Sequence, residues 1–216
     1  MKLNKESLKS SLLLYAITDS SMIGNSTLKE KVEEAILGGA TMIQLREKNI
    51  SKDEYIAIAK EIKEVTDRYN IPLIINDHVD VALACDAAGV HVGQQDMAAA
   101  LVREKIGPEK ILGVSVQTVE QAILAEKAGA DYLGVGSIFP TSTKKDAALV
   151  SIETLKAICD SVNIPIVAIG GINEENIIKL KGSGIAGISV VSAIFAQKDA
   201  QKAAEGLRRQ VEKILG

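Results

Sequence analysis

Eight short apolar runs, separated by longer amphipathic stretches, constrain the fold of this 216-residue chain more than any other feature. The runs cover residues 12–17, 41–45, 73–75, 89–92, 111–114, 132–135, 166–169 and 185–191. Helical patterns lie between most of them, at residues 28–37, 55–69, 119–128 and 152–158. This alternation is typical of βαβ units, whose Val-, Ile- and Leu-rich strands form a parallel sheet that is buried on both faces.

Eight such units favour a closed barrel over an open, doubly wound sheet. The connection after the first run, residues 19–26, lacks the G-x-G-x-x-G pattern of a dinucleotide-binding sheet. The aromatic content of 3% suits a barrel interior that is filled by layers of Val, Ile and Leu. We therefore predict an α/β fold, a single (β/α)8 TIM barrel over residues 1–216, with residues 1–11 as an N-terminal extension.

Charge and composition argue against several classes of partner. The 25 Lys and Arg residues are outnumbered by 28 Asp and Glu, and there is no dense basic run, so we expect no nucleic-acid binding. No segment approaches the roughly 20 apolar residues of a membrane span, so we expect no membrane association. Cys85 and Cys159 lie far apart and indicate reduced thiols in a reducing compartment. We expect a cytoplasmic protein, and a homo-oligomer stays open.

Polar residues follow the second predicted strand, at the end where barrel enzymes carry their active sites. The segment reads Gln44-Leu45-Arg46-Glu47-Lys48. Because side chains alternate along a strand, Gln44, Arg46 and Lys48 are predicted to share one face, which suits a multiply charged anion. The alternative is a solvent-exposed strand end with a stray salt bridge.

Two aspartates follow the next two predicted strands. Asn76-Asp77 ends the third run, and Gly93-Gln94-Gln95-Asp96 follows the fourth. Neighbouring strands lie roughly 5 Å apart, so Asp77 and Asp96 can reach one cation. Carboxylates without a His or Cys cluster suit Mg²⁺, which completes its shell with water and phosphate oxygens. The alternative for Asp96 is a cap on the following helix.

The remaining strand ends carry hydroxyl groups and glycines. Ser115 follows the fifth run, and the connection after the sixth, residues 134–146, is the longest and can close over a polar ligand or be a flexible, exposed loop. Gly170-Gly171 and Val191-Ser192 stand where barrels bind phosphate through backbone N–H groups. The predicted mouth thus has two anion-binding halves, which indicates an enzyme that joins two phosphorylated small molecules.

The other polar groups do not supply a covalent catalyst. His91 lies inside the fourth predicted strand, where a packed, hydrogen-bonded role is favoured over catalysis. His78 follows the proposed metal ligand Asp77. No Ser/His/Asp or Cys/His set is evident for nucleophilic catalysis.

Taken in order, these segments resemble the thiamine-phosphate synthase family over residues 12–195. The matching segments are Tyr15-Ala16-Ile17-Thr18-Asp19, Gln44-Leu45-Arg46-Glu47-Lys48, Asn76-Asp77, Gly89-Val90-His91-Val92-Gly93-Gln94-Gln95-Asp96, Gly113-Val114-Ser115, residues 134–144, Gly170-Gly171-Ile172-Asn173 and Val191-Ser192-Ala193-Ile194. Each segment is weak by itself, whereas the ordered set is specific.

The resemblance implies a role for each matching position. The residues that would bind a hydroxymethylpyrimidine diphosphate are Gln44, Leu45, Arg46, Glu47, Lys48, Asn76, Ser115 and Lys144. Among these, the catalytic group would be Arg46, Lys48, Ser115 and Lys144. Asp77 and Asp96 would hold one Mg²⁺ ion on the diphosphate. The residues that would bind a thiazole phosphate are Thr141, Ser142, Thr143, Gly170, Gly171, Val191 and Ser192.

The resemblance also implies a reaction in which the bond to diphosphate breaks first and the thiazole nitrogen captures the resulting pyrimidine methyl cation. Two rivals on the same fold remain, a thiazole tautomerase and a phosphate-ligand sensor without activity. The tautomerase resembles this family but looks as though it uses a histidine for proton transfer at the position of Gln117. A glutamine cannot shuttle a proton, which favours the synthase.

Overall fold

Eight parallel strands close into a barrel in the computed structural model, which describes residues 5–141, 143 and 148–216. The strands are β1 (Leu14–Ile17), β2 (Met42–Leu45), β3 (Leu73–Asn76), β4 (Gly89–Val92), β5 (Ile111–Val116), β6 (Tyr132–Val135), β7 (Ile166–Ile169) and β8 (Gly187–Val190). Each strand pairs with the next along the chain, and β8 pairs with β1 to close the ring. The predicted (β/α)8 TIM barrel is confirmed.

Helices surround the strands. Within the described residues they are α1 (Lys5–Ser11), α2 (Leu28–Leu37), α3 (Lys52–Arg68), α4 (Val79–Ala84), α5 (Ala99–Ile106), α6 (Val119–Lys127), α7 (Ile152–Ser161), α8 (Ser192–Phe195) and α9 (Ala200–Leu215). Short 3-10 helices at Ser20–Met22 and Ile177–Leu180 complete the set. The connection after β7 contains only the 3-10 helix Ile177–Leu180. Helix α9 packs against this short helix as well as against α2.

The starts of α2 and α3 are specified locally by capping boxes. The Thr27 hydroxyl accepts from the Glu30 backbone N–H, and the Glu30 carboxylate accepts from the Thr27 N–H. Ser51 and Glu54 form the same reciprocal pair before α3. These contacts satisfy backbone donors that the first helical turn leaves without partners.

The interior of the barrel forms a packed cluster of its own, distinct from the layer between strands and helices. Its members are Leu8, Leu12, Tyr15, Met42, Ile74, Ile111, Tyr132 and Val167. Leu8 belongs to α1, so part of the predicted N-terminal extension is a helix that packs against the barrel interior. Both cysteines are free thiols. Among the described helices, none has the length and apolar character to cross a membrane.

Candidate active site

The segment after β2 turns towards the connection that follows β1. An Arg46 Nη1 atom lies 3.5 Å from an Asp19 carboxylate oxygen, and the Glu47 carboxylate accepts a hydrogen bond from the Ser20 hydroxyl. Lys48 is exposed. The predicted alternation therefore ends with the strand at Leu45, because Arg46 and Glu47 both contact the same neighbouring connection.

Burial raises the pKa of Glu47 above its ordinary value, and the negative charge of Asp19 adds to this effect. The Ser20 hydrogen bond and the positive charge of Arg46 act in the opposite direction. Two carboxylates and a guanidinium thus share a half-buried corner of the barrel mouth. The contact with Asp19 keeps the Arg46 guanidinium in place at the strand end.

Asp77 and Asp96 come together at the ends of β3 and β4, as predicted from strand adjacency. Asp77 has a left-handed backbone (φ 61°), and its N–H donates to the His91 carbonyl at 2.8 Å. Burial and the neighbouring Asp96 carboxylate raise the pKa of Asp77. Asp96 accepts from the Gly93 N–H, whereas α5 begins later, after Ala98, so Asp96 is not its cap.

This pair suits a divalent cation, because two carboxylates held against each other repel until a positive charge lies between them. In the part of the chain that the structure describes, no group of three or more His, Cys, Asp or Glu side chains is arranged to hold a metal. Two carboxylates nevertheless fit Mg²⁺, which commonly takes one or two protein ligands and receives the rest from substrate phosphate and water.

A chain of buried hydrogen bonds crosses the barrel interior below this pair. The Gln44 amide nitrogen donates to the Tyr15 hydroxyl (2.6 Å), which lies 2.9 Å from the Tyr132 hydroxyl. Tyr132 is in turn 2.9 Å from Nδ1 of His91, and Nε2 of His91 is 2.8 Å from the Ser115 hydroxyl. The chain links two predicted ligand-binding side chains, Gln44 and Ser115. It also confirms that His91 is packed and hydrogen-bonded.

The opposite half of the mouth is lined by backbone. Gly170 (φ 99°) and Gly171 (φ 63°) follow β7 in left-handed conformations. A Cβ atom on Gly171 would lie 2.4 Å from the Pro140 carbonyl oxygen, so only glycine fits there. Val191 and Ser192 follow β8, where Ser192 begins the four-residue helix α8.

The long connection after β6 is held at both of its ends. The Ile138 N–H donates to the Ile169 carbonyl, and the Phe139 N–H donates to the Gly170 carbonyl, which ties the start of the loop to the end of β7. The Gln117 amide lies within hydrogen-bond distance of the Gly136 carbonyl (3.3 Å) and the Ala148 carbonyl (3.4 Å). Gln117 therefore anchors this loop.

Several predicted ligand residues lie on that loop. Thr141 and Thr143 are partly buried, and the Thr143 N–H donates to the Thr141 hydroxyl. Ser142 and Lys144 lie outside the described residues. Asn76 ends β3 directly before Asp77, and its side chain contacts that carboxylate.

The structure adds residues to which the sequence assigned no function. Asp19 pairs with Arg46, and Tyr15 and Tyr132 link Gln44 to His91. Tyr15 and Asp19 lie in a segment that matches the family, but only the closed barrel shows what they contact. Tyr132 had no sequence signal beyond its place at the start of an apolar run.

The fold and the site together define a class of protein: a (β/α)8-barrel enzyme with a charged half and a backbone-lined half at the carboxyl ends of its strands. Residues 14–194 match the family model described as thiamine monophosphate synthase. The chain belongs to this family, whose members are transferases of thiamine biosynthesis.

Curated relatives agree with this assignment. A thiamine-phosphate synthase from Clostridium tetani is 59% identical over 194 residues, covering 90% of this chain and 93% of that protein. Another from Ruminiclostridium cellulolyticum is 57% identical over 194 residues, covering 90% and 92%.

Solved structures show the same barrel. A thiamine phosphate pyrophosphorylase from Pyrococcus furiosus superposes with a TM-score of 0.90 at 45% identity and covers 97% of this chain and 100% of that one. A geranylgeranylglyceryl phosphate synthase from Thermoplasma acidophilum reaches a TM-score of 0.70 at 14% identity, covering 99% and 100%, and shares the fold alone.

Proposed function

We propose that this enzyme condenses 4-amino-2-methyl-5-hydroxymethylpyrimidine diphosphate with 4-methyl-5-(2-phosphooxyethyl)thiazole to give thiamine phosphate and diphosphate. The observation that carries the proposal is the division of the barrel mouth. Arg46, Asp77 and Asp96 supply charge on one side, and the glycines after β7 supply bare backbone on the other. A diphosphate and a monophosphate need these two different environments.

The charged half is proposed to receive the diphosphate. Arg46 offers a planar fork of N–H donors that matches phosphate oxygens, and Lys48 adds a compact charge from the exposed end of the same segment. Asp77 and Asp96 are the residues that would hold Mg²⁺. When bound, that ion would offset negative charge on the diphosphate.

The chemical step is proposed to be dissociative. The bond between the pyrimidine methylene carbon and the diphosphate oxygen breaks, and both electrons leave with diphosphate. The thiazole nitrogen then donates its lone pair to the methylene carbon. This needs stabilisation of the leaving negative charge by Arg46, Lys48 and Lys144, together with correct placement of the two rings, and no general base.

The backbone-lined half is proposed to receive the thiazole phosphate. Gly170 and Gly171 leave the backbone accessible, and Ser192 opens a short helix beside them, a combination that barrels use for phosphate. Thr141, Ser142, Thr143 and Val191 complete the proposed lining. Anchoring of the loop to Ile169 and Gly170 supports the idea that loop and phosphate site act together.

The two rival functions have less support. A tautomerase needs a proton-transfer group at position 117, and the Gln117 amide instead contacts two loop carbonyls. A sensor without activity has no use for the facing carboxylates of Asp77 and Asp96, since a monophosphate can be bound without a metal.

Incubation of the purified protein with both phosphorylated precursors and Mg²⁺ tests the proposal. We expect thiamine phosphate and diphosphate in equal amounts by mass spectrometry, and neither product when one precursor is omitted. Folded protein that binds both precursors without forming product would support the sensor. Isomerisation of the thiazole alone would support the tautomerase.

A further inference from the structure

We propose that Tyr132 is a positioning residue that holds His91 in the neutral tautomer with its proton on Nε2, so that the Ser115 hydroxyl is free to donate its own hydrogen to a ligand at the barrel mouth. The part that concerns the ligand rests on the proposed function. The part that concerns the tautomer does not.

The buried chain of hydrogen bonds contains only a few hydrogen atoms. Tyr15, Tyr132 and Gln44 are each at most 2% exposed, and His91 is 8% exposed. Burial raises the pKa of both tyrosines, so each hydroxyl keeps one hydrogen. With water nearly excluded, each hydrogen must be shared with a protein neighbour.

The Gln44 end sets the direction of the chain. Gln44 presents its amide nitrogen to Tyr15, and an amide nitrogen can only donate. The Tyr15 oxygen therefore accepts there, and its hydrogen is directed to the other neighbour, the Tyr132 oxygen at 2.9 Å. If Tyr132 donated to Tyr15 instead, the Tyr15 oxygen would accept two hydrogen bonds. The buried hydrogen of the Tyr15 hydroxyl would then have no acceptor in the chain.

The remaining hydrogen bonds, from Tyr132 through His91 to Ser115, run in the same direction. Tyr132 accepts from Tyr15, so its hydrogen is donated to Nδ1 of His91 at 2.9 Å. A neutral imidazole that accepts at Nδ1 carries its hydrogen on Nε2, which donates to the Ser115 oxygen at 2.8 Å. The chain thus uses Ser115 only as an acceptor, and the Ser115 hydrogen remains for a ligand.

The barrel is shaped around the Tyr132–His91 contact. Gly113 lies on the neighbouring strand β5, and a Cβ atom there would lie 2.2 Å from Cζ of Tyr132 and 2.5 Å from Nδ1 of His91. No residue with a side chain could occupy this position without moving one of the two rings. The edge contact between the Tyr15 and Tyr132 rings, with centroids 5.9 Å apart, orients the second phenol from the other side.

The tautomer can be measured without substrate. The chain has two histidines, so a protein labelled with ¹⁵N-histidine gives two ring systems, and a His78→Gln variant assigns the remaining one to His91. We expect long-range ¹H–¹⁵N correlations of the Nε2–H form in the wild type. In Tyr132→Phe we expect a mixture of tautomers, because Nδ1 has lost its donor. An Nδ1–H form or an imidazolium in the wild-type protein would overturn the proposal.

A double-mutant cycle tests the link to Ser115. Tyr132→Phe and Ser115→Ala should each lower kcat/KM for the pyrimidine substrate about 10- to 100-fold, and the double variant should fall less than about threefold below Ser115→Ala. Losses that multiply would mean that Tyr132 is merely structural, and would contradict the proposal.

Tyr69→Phe is the matched control. The Tyr69 hydroxyl donates to Glu33 on helix α2 and takes no part in the buried chain of hydrogen bonds. This variant should leave both the His91 spectrum and kcat/KM unchanged. If Tyr132→Phe does not fold, the wild-type spectrum still decides the tautomer. Lack of activity in the wild-type protein would overturn the proposed function and leave that spectrum interpretable.

Discussion

The two halves of the barrel mouth, which we propose as sites for two different anions, are built by opposite means. The half at β2 to β4 is formed by charged side chains, with Arg46 beside Asp19 and Asp77 beside Asp96. The half at β7 is formed by glycine backbone without side chains, because a Cβ on Gly171 would clash with the Pro140 carbonyl. The first half should therefore respond to changes of charge at constant shape, and the second to changes of volume at constant charge.

The largest effect is expected from Asp77→Asn, which removes a charge and keeps the shape. Turnover should fall about a thousandfold at limiting Mg²⁺, since stabilisation of the leaving group by a metal amounts to several kcal/mol. Steady-state assays over a range of Mg²⁺ concentrations measure this. Full activity at limiting Mg²⁺ would contradict the metal assignment.

Asp86→Asn is the matched control for that variant. Asp86 is also an aspartate with a left-handed backbone (φ 51°), but it is exposed and pairs with Lys110 away from the mouth. We expect unchanged kinetics, and a loss of stability of about 1 kcal/mol at most, as is usual for surface ion pairs.

The next effect is expected from Gly171→Ala, which adds volume and no charge. The added methyl group should displace the loop carbonyl and raise KM for the thiazole phosphate about 100-fold, by analogy with other positioning losses. KM for the pyrimidine diphosphate should change much less, because among the proposed ligands of that substrate only Lys144 lies on the displaced loop. Equal changes in both KM values would mean that the halves are not independent.

Gly182→Ala separates the clash from backbone strain. Gly182 is also left-handed (φ 71°), but nothing lies within 4 Å of an added Cβ. Thermal denaturation should show a loss of about 1–2 kcal/mol from strain alone, and both KM values should stay at the wild-type level.

A smaller effect is expected from Arg46→Lys, which keeps the charge and loses the planar fork. KM for the pyrimidine diphosphate should rise about tenfold, whereas KM for the thiazole phosphate should not change. Initial-rate assays with each substrate varied in turn provide the test. An unchanged KM for the diphosphate would mean that Arg46 acts only by charge.

The smallest effect is expected from Glu47→Gln, and it concerns stability. Burial raises the pKa of Glu47 in the folded protein above the ordinary pKa that it has in the unfolded chain. Ionisation of this carboxyl therefore lowers the stability of the fold once the pH rises above that ordinary pKa. The substituted amide would keep an oxygen for Ser20 without that charge. The Tm of the variant relative to wild type should therefore be higher at pH 8 than at pH 4. A difference that does not depend on pH would contradict this.

Local sequence patterns predicted the strands well, because a strand buried on both faces must be short, apolar and bounded by polar or glycine-containing segments. They also placed Asp77 and Asp96 just after two neighbouring strands. Patterns failed where the regular backbone ended. Alternation was extended to Arg46 and Lys48, but β2 stops at Leu45 and the chain turns towards Asp19.

What the sequence determined by itself was the barrel and the set of polar groups at its mouth, since both follow from periodicities and spacings within single βα units. What only the tertiary structure decided was which of these groups meet. Tyr15 and Tyr132 are 117 residues apart and share a hydrogen bond only because the sheet closes on itself. Contacts across a closed barrel depend on all of its strands together, so no local pattern encodes them.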